Sequence, residues 1–374
     1  MELPLSQLGA DAWQLESTGV NRLLARIRAA GVPLAEFAGV KPYRGVVTGC
    51  NDAFLVDSAT KEAIVKRDPR AAGIIKPYLR GQDVERWQSE WAGLWMIFAR
   101  RGIDIEAYPR VKEHLLRFRR ELEPKPADWT GDKWPGRKAG SYQWFEIQDP
   151  IEYWKEFGKP KIVYQEIQFH PCYALDTVGQ FGNNKTFFIA CADPYLLAVL
   201  NSPLMWWLNW RHLPHMKDEA LSPVGFLMES LPIARPTDCI RAKTERAVGR
   251  LVEITRTHQV TRRQLLDWLR VEHEVEKPTL KLQSPFGLDC DSFVTEVKKV
   301  RGKKKPLSAA ALANLREEYA RSIDPARALA AEALTLENEV SNLVNEAYGL
   351  TPEEVALMWE TAPPRMPIAG LSRR

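Results

Sequence analysis

Cysteine is scarce and scattered. The 374 residues contain five, Cys50, Cys172, Cys191, Cys239 and Cys290, with no Cys-x-x-Cys pair. That spacing argues against a zinc ribbon and a disulfide framework, and it suits a reducing compartment. Long apolar runs are missing too. The most apolar stretch, Phe187 to Trp210, is interrupted by Asp193, Pro194, Asn201 and Pro203. A membrane helix needs about 20 nearly uninterrupted apolar residues, so this stretch belongs to a buried core. Glu2, Asp11 and Glu16 interrupt any basic-then-apolar signal pattern at the amino terminus, and a cytoplasmic location without membrane contact is expected. Charge of one sign is not abundant either: the net charge is +4, which only hints at an acidic partner.

Several catalytic signatures are absent. Gly131 to Lys138 (GDKWPGRK) has the glycine spacing of a phosphate-binding loop, but Arg137 and Lys138 stand where Lys and Ser/Thr are required, so it reads as a polar loop. Phe37-Ala-Gly39 starts like a methyl-donor turn, but Lys41 occupies the second glycine position. No Asn/Asp-Pro-Pro-Tyr/Phe sequence occurs, and in amino-methyltransferases that motif grips the flipped base. A Gly-x-Ser-x-Gly elbow is also missing. His212 and His215 could share a helix face near Asp218 and Glu219, but Pro214 interrupts them, and no metal site is expected. Asp149, Glu152, Glu166, Lys159 and Lys161 lie near one expected strand, which leaves open a nuclease built from clustered acids and a lysine.

What is present is ample core material: 45% hydrophobic and 27% charged residues, with thirteen tryptophans, fit a folded chain of two or three units. Residues 14–30 place Leu23, Leu24, Ile27 and Ala30 on one helical face. VVTGCNDAFLVD (46–57) reads as a strand pair around a tight turn, Lys61 to Val65 as a short helix, and GLWMIFA (93–99) as a buried strand. Residues 104–123 read as one helix with a basic face (Arg110, Lys112, Arg117, Arg119, Arg120), and 124–140 as an exposed loop. KIVYQEI, CYALDT and KTFFIA give three strands, followed by a helical apolar stretch from Asp193 and an extended Leu231-Pro-Ile-Ala-Arg-Pro236.

Beyond residue 237 the chain is helical, apart from a Lys277 to Asp291 loop and a basic run at Lys298 to Lys305. Ser308 and Asp324-Pro325 read as helix starts, and Thr351-Pro-Glu-Glu354 as a capping box. Leu329, Ala333, Leu336, Val340, Leu343 and Ala347 form a seam for a partner helix.

Against that background, several blocks resemble one family in order and spacing. YRGVVTGCNDAFLVD (43–57) resembles the opening of TaqI-type C-terminal specificity domains, found in type II restriction–modification enzymes that fuse an adenine-N6 methyltransferase to target recognition. IIKPYLRGQDVERW (74–87) is similar to the second signature, Lys161-Ile-Val-Tyr to the third, and LLAVLNSPL (196–204) to the fourth. Leu231-Pro-Ile is similar to the closing segment, and Leu343 to Glu354 to the tail of larger members. The catalytic half that precedes these signatures in the family is not matched, which implies a split subunit, a truncated product or an excised module.

The resemblance implies an α/β (mixed α+β) target-recognition domain followed by an all-helical C-terminal region. The expected units are a linker helix (1–34), a recognition domain (35–236), a helical connector (237–297) and a C-terminal hairpin and tail (306–374). It also implies double-stranded DNA as partner, with a methyltransferase or nuclease subunit, in a bacterial or archaeal cell. No cofactor is expected in this chain; S-adenosylmethionine and Mg²⁺ would sit in the catalytic partner.

The expected DNA-binding residues are Thr48, Gly49, Asn51, Lys76, Tyr78, Arg80, Arg86, Arg100, Arg101 and Lys185. An Asn can pair in two ways with adenine and an Arg with guanine, whereas Lys76, Arg100 and Arg101 suit phosphates. Gly49, Pro77, Tyr78 and Gly81 equally suit structural duty, and the run at Lys298 to Lys305 could be a solvated linker or lean on a duplex. The competing expectations are a nuclease or diverged methyltransferase with an unrecognised site, and a protein-interaction subunit.

Overall fold

A computed structural model describes residues 16–301 and 306–368. In chain order the first elements are α1 (Thr18–Ala30), β1 (Gly31–Pro33), α2 (Leu34–Ala38), β2 (Tyr43–Arg44), α3 (Asn51–Phe54), β3 (Leu55–Val56), α4 (Ser58–Arg67), β4 (Ile75–Leu79), β5 (Trp87–Gln88) and β6 (Trp95–Ile97). The middle of the chain supplies α5 (Pro109–Leu116), α6 (Arg119–Leu122), β7 (Lys161–Gln165), β8 (Tyr173–Asp176), β9 (Phe181–Gly182) and β10 (Thr186–Ile189). Then follow α7 (Pro194–Asn201), α8 (Pro203–His212), α9 (Gly225–Glu229) and β11 (Pro232–Ala234). The remainder is helical: α10 (Asp238–His273), α11 (Leu280–Gln283), α12 (Cys290–Arg301), α13 (Ala309–Glu318), α14 (Asp324–Ala347) and α15 (Pro352–Glu360). The chain therefore combines mixed sheets in its N-terminal half with a helical C-terminal region.

The central sheet runs β2-β10-β7-β8-β5, antiparallel except for the parallel β5–β8 pair. Side chains alternate across a strand, and here the alternation divides two cores. Ile162, Tyr164, Tyr173, Phe187 and Ile189 face one cluster; Val163, Ala174 and Phe188 face the other. Burial on both faces explains why these strands read as continuous apolar runs. The second sheet, β3-β6-β4-β9, lies within the second core, and β1 pairs with β11 in a two-stranded ribbon.

The cores do not follow chain order. The first joins α1 (Val20, Leu23, Leu24, Ile27) to α7, α8, β11, the start of α10 and the end of α14. Ala30 lies exposed, outside the α1 stripe. A third, wholly helical cluster packs Leu265 and Leu269 of α10 against Phe293, Val297, Leu315 and Tyr319. The Leu336–Leu343 seam packs into this first core, the same one that takes in Val248 and Leu251 of α10, so its partner helix lies within the same chain. Helices α7 and α8 are apolar all round because they are buried all round, from Tyr195 to Asn209.

Local chemistry sets several boundaries differently from the sequence reading. The segment at Asn51 winds into the single turn α3 before β3, so it is no tight hairpin. The expected helix over 104–123 is broken: Pro109, which lacks an N–H, starts α5, and Phe118 separates α5 from α6. Asp324 does not cap a new helix. A π turn at Tyr319–Ile323 carries the helix from α13 into α14, and such a turn is one way to accommodate the carbonyl that Pro325 leaves unpaired. Thr351 and Glu354 do form the capping box of α15. Lys303, Lys304 and Lys305 of the basic run lie outside the described residues, as do residues 1–15 of the linker and 369–374 of the tail.

Candidate nucleic-acid interface

Residues 45–51 cross the end of the central sheet and are held there by main-chain bonds. Gly45 N donates to the Thr186 carbonyl (2.9 Å) and Val46 N to the Gly182 carbonyl (2.8 Å). A Cβ on Gly45 would sit 1.9 Å from the Asn183 oxygen, so only glycine permits this approach. Gly49 has φ +81°, and a Cβ there would meet Arg137 Cδ at 2.8 Å. Thr48 is buried and donates its hydroxyl to Asn51 Oδ1 (2.7 Å). Asn51 is exposed at the start of α3, and its amide NH₂ makes no hydrogen bond among the described residues.

What fixes this loop is Arg137, which the sequence reading assigned to an exposed loop. It is 4% exposed, and its guanidinium donates to five main-chain carbonyls: Leu122, Thr48, Glu146, Gln143 and Trp144. The distances run from 2.6 Å to Glu146 to 3.2 Å to Thr48 and Gln143. Its hydrogen bonds all go to carbonyls, none to a carboxylate, and burial lowers its pKa. Arg137 thus ties the Thr48 loop, the end of α6 and residues 143–146 into one lobe. The available signal was aromatic density: WTGDKWPGRKAGSYQWF is too rich in Trp and Tyr for a solvated loop.

Arg100 and Arg101 border this lobe. Arg101 donates to the Gln148 carbonyl (2.7 Å) and Ser141 Oγ (3.1 Å) and lies over Tyr142. Arg100 is exposed over the Trp154 ring, with Lys155 also near that ring. Arg119 covers Trp144 at 4.2 Å while pairing with Glu123 (2.9 Å). Cations resting on partly exposed indoles form a surface able to hold phosphates while offering flat apolar contacts.

Several of the other expected residues are already occupied within the fold. Tyr78 is 1% exposed in the second core, and burial pushes its phenol up to about 12, which corrects its assignment to DNA contact. Arg80 clasps Asp83 through Nε and Nη2, raising its pKa through that side-chain bond. Arg86 is likewise corrected to a structural role: it bonds Glu337 of α14 (2.6 Å) and the Asn201 carbonyl (2.8 Å). Lys185 is exposed but pairs with Glu166 (2.6 Å). Lys76 is half-buried on β4 and has no ion-pair partner among the described residues.

Several of the family-like signatures hold one another. Asn201 pairs its amide with both main-chain groups of Tyr173 (3.2 and 2.9 Å), Ser202 caps α8, and Asn201's carbonyl receives Arg86. Tyr348 donates to the Pro232 carbonyl of the closing segment (2.6 Å).

Of the acids and lysines that left a nuclease open, all but the exposed Glu152 are engaged among the described residues, Lys159 with Glu156. Lys161, 1% exposed, bonds Asp176 and the Phe157 carbonyl; Asp149 accepts from Val47 N; Glu166 holds Lys185. His212 and His215 contact the Leu227 and Trp210 carbonyls, and the described residues contain no metal-binding cluster.

Residues 76–233 match the family model of the TaqI-like C-terminal specificity domain, and residues 237–344 match a domain of unknown function, DUF8810. The chain therefore carries a TaqI-like specificity domain; the 43–57 stretch lies outside the matched residues. Among curated proteins it is similar to the type II methyltransferase M.PaeR7I of Pseudomonas aeruginosa, 32% identical over 131 residues, covering 32% of this chain and 21% of that protein. A solved structure of the type IIL restriction–modification enzyme MmeI in complex with DNA aligns at TM-score 0.43 and 12% identity, over 86% of this chain and 35% of that one. The chain thus spans about a fifth of the curated relative. No helix of the described residues is long and apolar enough to cross a membrane.

Proposed function

We propose that this chain is the sequence-reading part of a restriction–modification system, holding double-stranded DNA for a methyltransferase that supplies catalysis. The observation that carries the reading is the specificity-domain segment at residues 76–233. Physical support comes from the Arg137-braced lobe, which presents Asn51, Arg100 and Arg101 at the rim of that segment's sheet. In this reading Arg100 and Lys155 contact phosphates and fix register, while Asn51 approaches a base edge. Its amide hydrogens would meet an acceptor such as purine N7, since Oδ1 already accepts from Thr48.

The partner is an adenine-N6 methyltransferase, which holds S-adenosylmethionine and any Mg²⁺, in the cytoplasm of a bacterial or archaeal cell. Co-purification with a methyltransferase, followed by methylome mapping of cells with and without this chain, tests the reading. Loss of a specific methylated motif on deletion is expected. An unchanged methylome, with no association, overturns it.

A further inference from the structure

A cavity of about 400 Å³ opens between α1, α8 and the β1–β11 ribbon, on apolar walls that include Pro33, Leu208 and Pro232. Its polar side chains are Arg28, His212 and Ser230, and no carboxylate lines it. The floor is rigid main chain, because Gly31 sits so close to β11 that a Cβ would lie 2.5 Å from Ile233 N.

Arg28 is exposed and has no ion-pair partner among the described residues, whereas Arg26 on the same helix pairs with Glu354. His212 Nε2 lies 3.4 Å from the Leu227 carbonyl and 3.5 Å from Ser230 Oγ. Its Nδ1 has no partner among the described residues. The neighbouring carboxylates are already engaged: Glu229 with Lys41 (3.3 Å) and Glu16 with Arg211 (2.8 Å). Burial, and then the Arg28 charge, disfavour the imidazolium. An anion between these groups would relieve that repulsion.

We propose that Arg28, His212 and Ser230 form a phosphate-binding site. A guanidinium supplies a planar fork suited to two phosphate oxygens. An imidazole protonated at Nδ1 on anion binding adds a directed donor, and the Ser230 hydroxyl, which donates to the Leu227 carbonyl (3.0 Å), can turn to the anion. The phosphate could be a free monoester or one phosphodiester of a bound duplex. The site does not depend on the recognition reading.

Calorimetric titration of the full chain with inorganic phosphate, at constant ionic strength with chloride as control, tests it. One saturable site is expected, weakened about tenfold by Arg28→Met and less by Arg28→Lys, as the loss of one charge-assisted bond implies. Arg28 is exposed, so both variants should keep the wild-type melting curve, and Ser230→Ala provides a second, milder variant.

Duplex binding against salt then separates the sources. A slope reduced by about one in Arg28→Met assigns the phosphate to DNA. An unchanged slope beside weakened phosphate binding assigns a free phosphate. Absence of saturable phosphate binding, or equal affinity in wild type and Arg28→Met, overturns the site.

Discussion

Replacing Arg137 by methionine tests how the candidate interface is built. Methionine matches the arginine stem as far as about Nε, but all five guanidinium-to-carbonyl bonds disappear. The loss is uneven. The Thr48 carbonyl still receives Gln148 N and the Gln143 carbonyl still receives Glu146 N. The Leu122, Glu146 and Trp144 carbonyls accept no other bond among the described residues. An unsatisfied buried carbonyl costs about 1–3 kcal/mol. Removing a buried charge refunds part of its desolvation cost. On balance a loss on the order of 3 kcal/mol is expected, with Arg137→Lys intermediate, because an ammonium has three donors and no fork.

Urea unfolding provides the assay. The midpoint should fall with little change in slope if the whole domain shares the transition. Amide exchange should speed up first around Thr48 and Gln148. A loss below about 1 kcal/mol would place Arg137 among ordinary surface arginines and refute the reasoning.

The remaining perturbations separate structural from ligand-facing charges. Glu337→Gln removes the charge that holds Arg86 and Trp87 Nε1; it should cost about 2 kcal/mol in thermal unfolding, less than the roughly 3–5 kcal/mol of a fully buried pair because both side chains keep some solvent contact. Arg100→Ala should leave stability unchanged yet lower the salt dependence of duplex binding by about one. Lys185→Ala should change that slope by less, because Glu166 already neutralises the ammonium.

Acid should destabilise the fold through His114, His212 and His273, whose pKa values burial lowers from 6.5. The unfolded chain then takes up protons first. Their contribution is complete above that pH and is lost as pH falls through the folded values, at up to about 1.4 kcal/mol per pH unit for each histidine. Urea midpoints at neutral and mildly acidic pH check this, and a rise on acidification would contradict it.

Elements buried on both sides were legible because their pattern needs no partner to be understood. β7, β8, β10 and the α7–α8 pair are apolar runs bounded by Pro, Asp or Gly, and they fold where the sequence places them. Thr351 and Glu354 carry their capping geometry locally, so that helix start was legible too. Arginines were not, because an arginine's sequence neighbours do not reveal what fills its fork. Arg86 looks like Arg100 in sequence, yet one spans 251 residues to Glu337 and the other faces solvent. Arg137 sits among Lys, Gly and Pro, which suggested exposure, and only the nearby aromatics hinted that the segment packs. Tyr78 was ambiguous for the opposite reason: a tyrosine in a strand serves core or ligand equally well, and burial decided it.

Binding of the full chain to a fluorescent duplex pool, across a salt series, with and without a methyltransferase that co-purifies with it, tests the central claim most directly. The account predicts affinity that falls linearly in log salt, weakens in the Arg100→Ala/Arg101→Ala pair, and becomes selective for one motif that Asn51→Ala relaxes. No binding at low salt, in either setting, would contradict it.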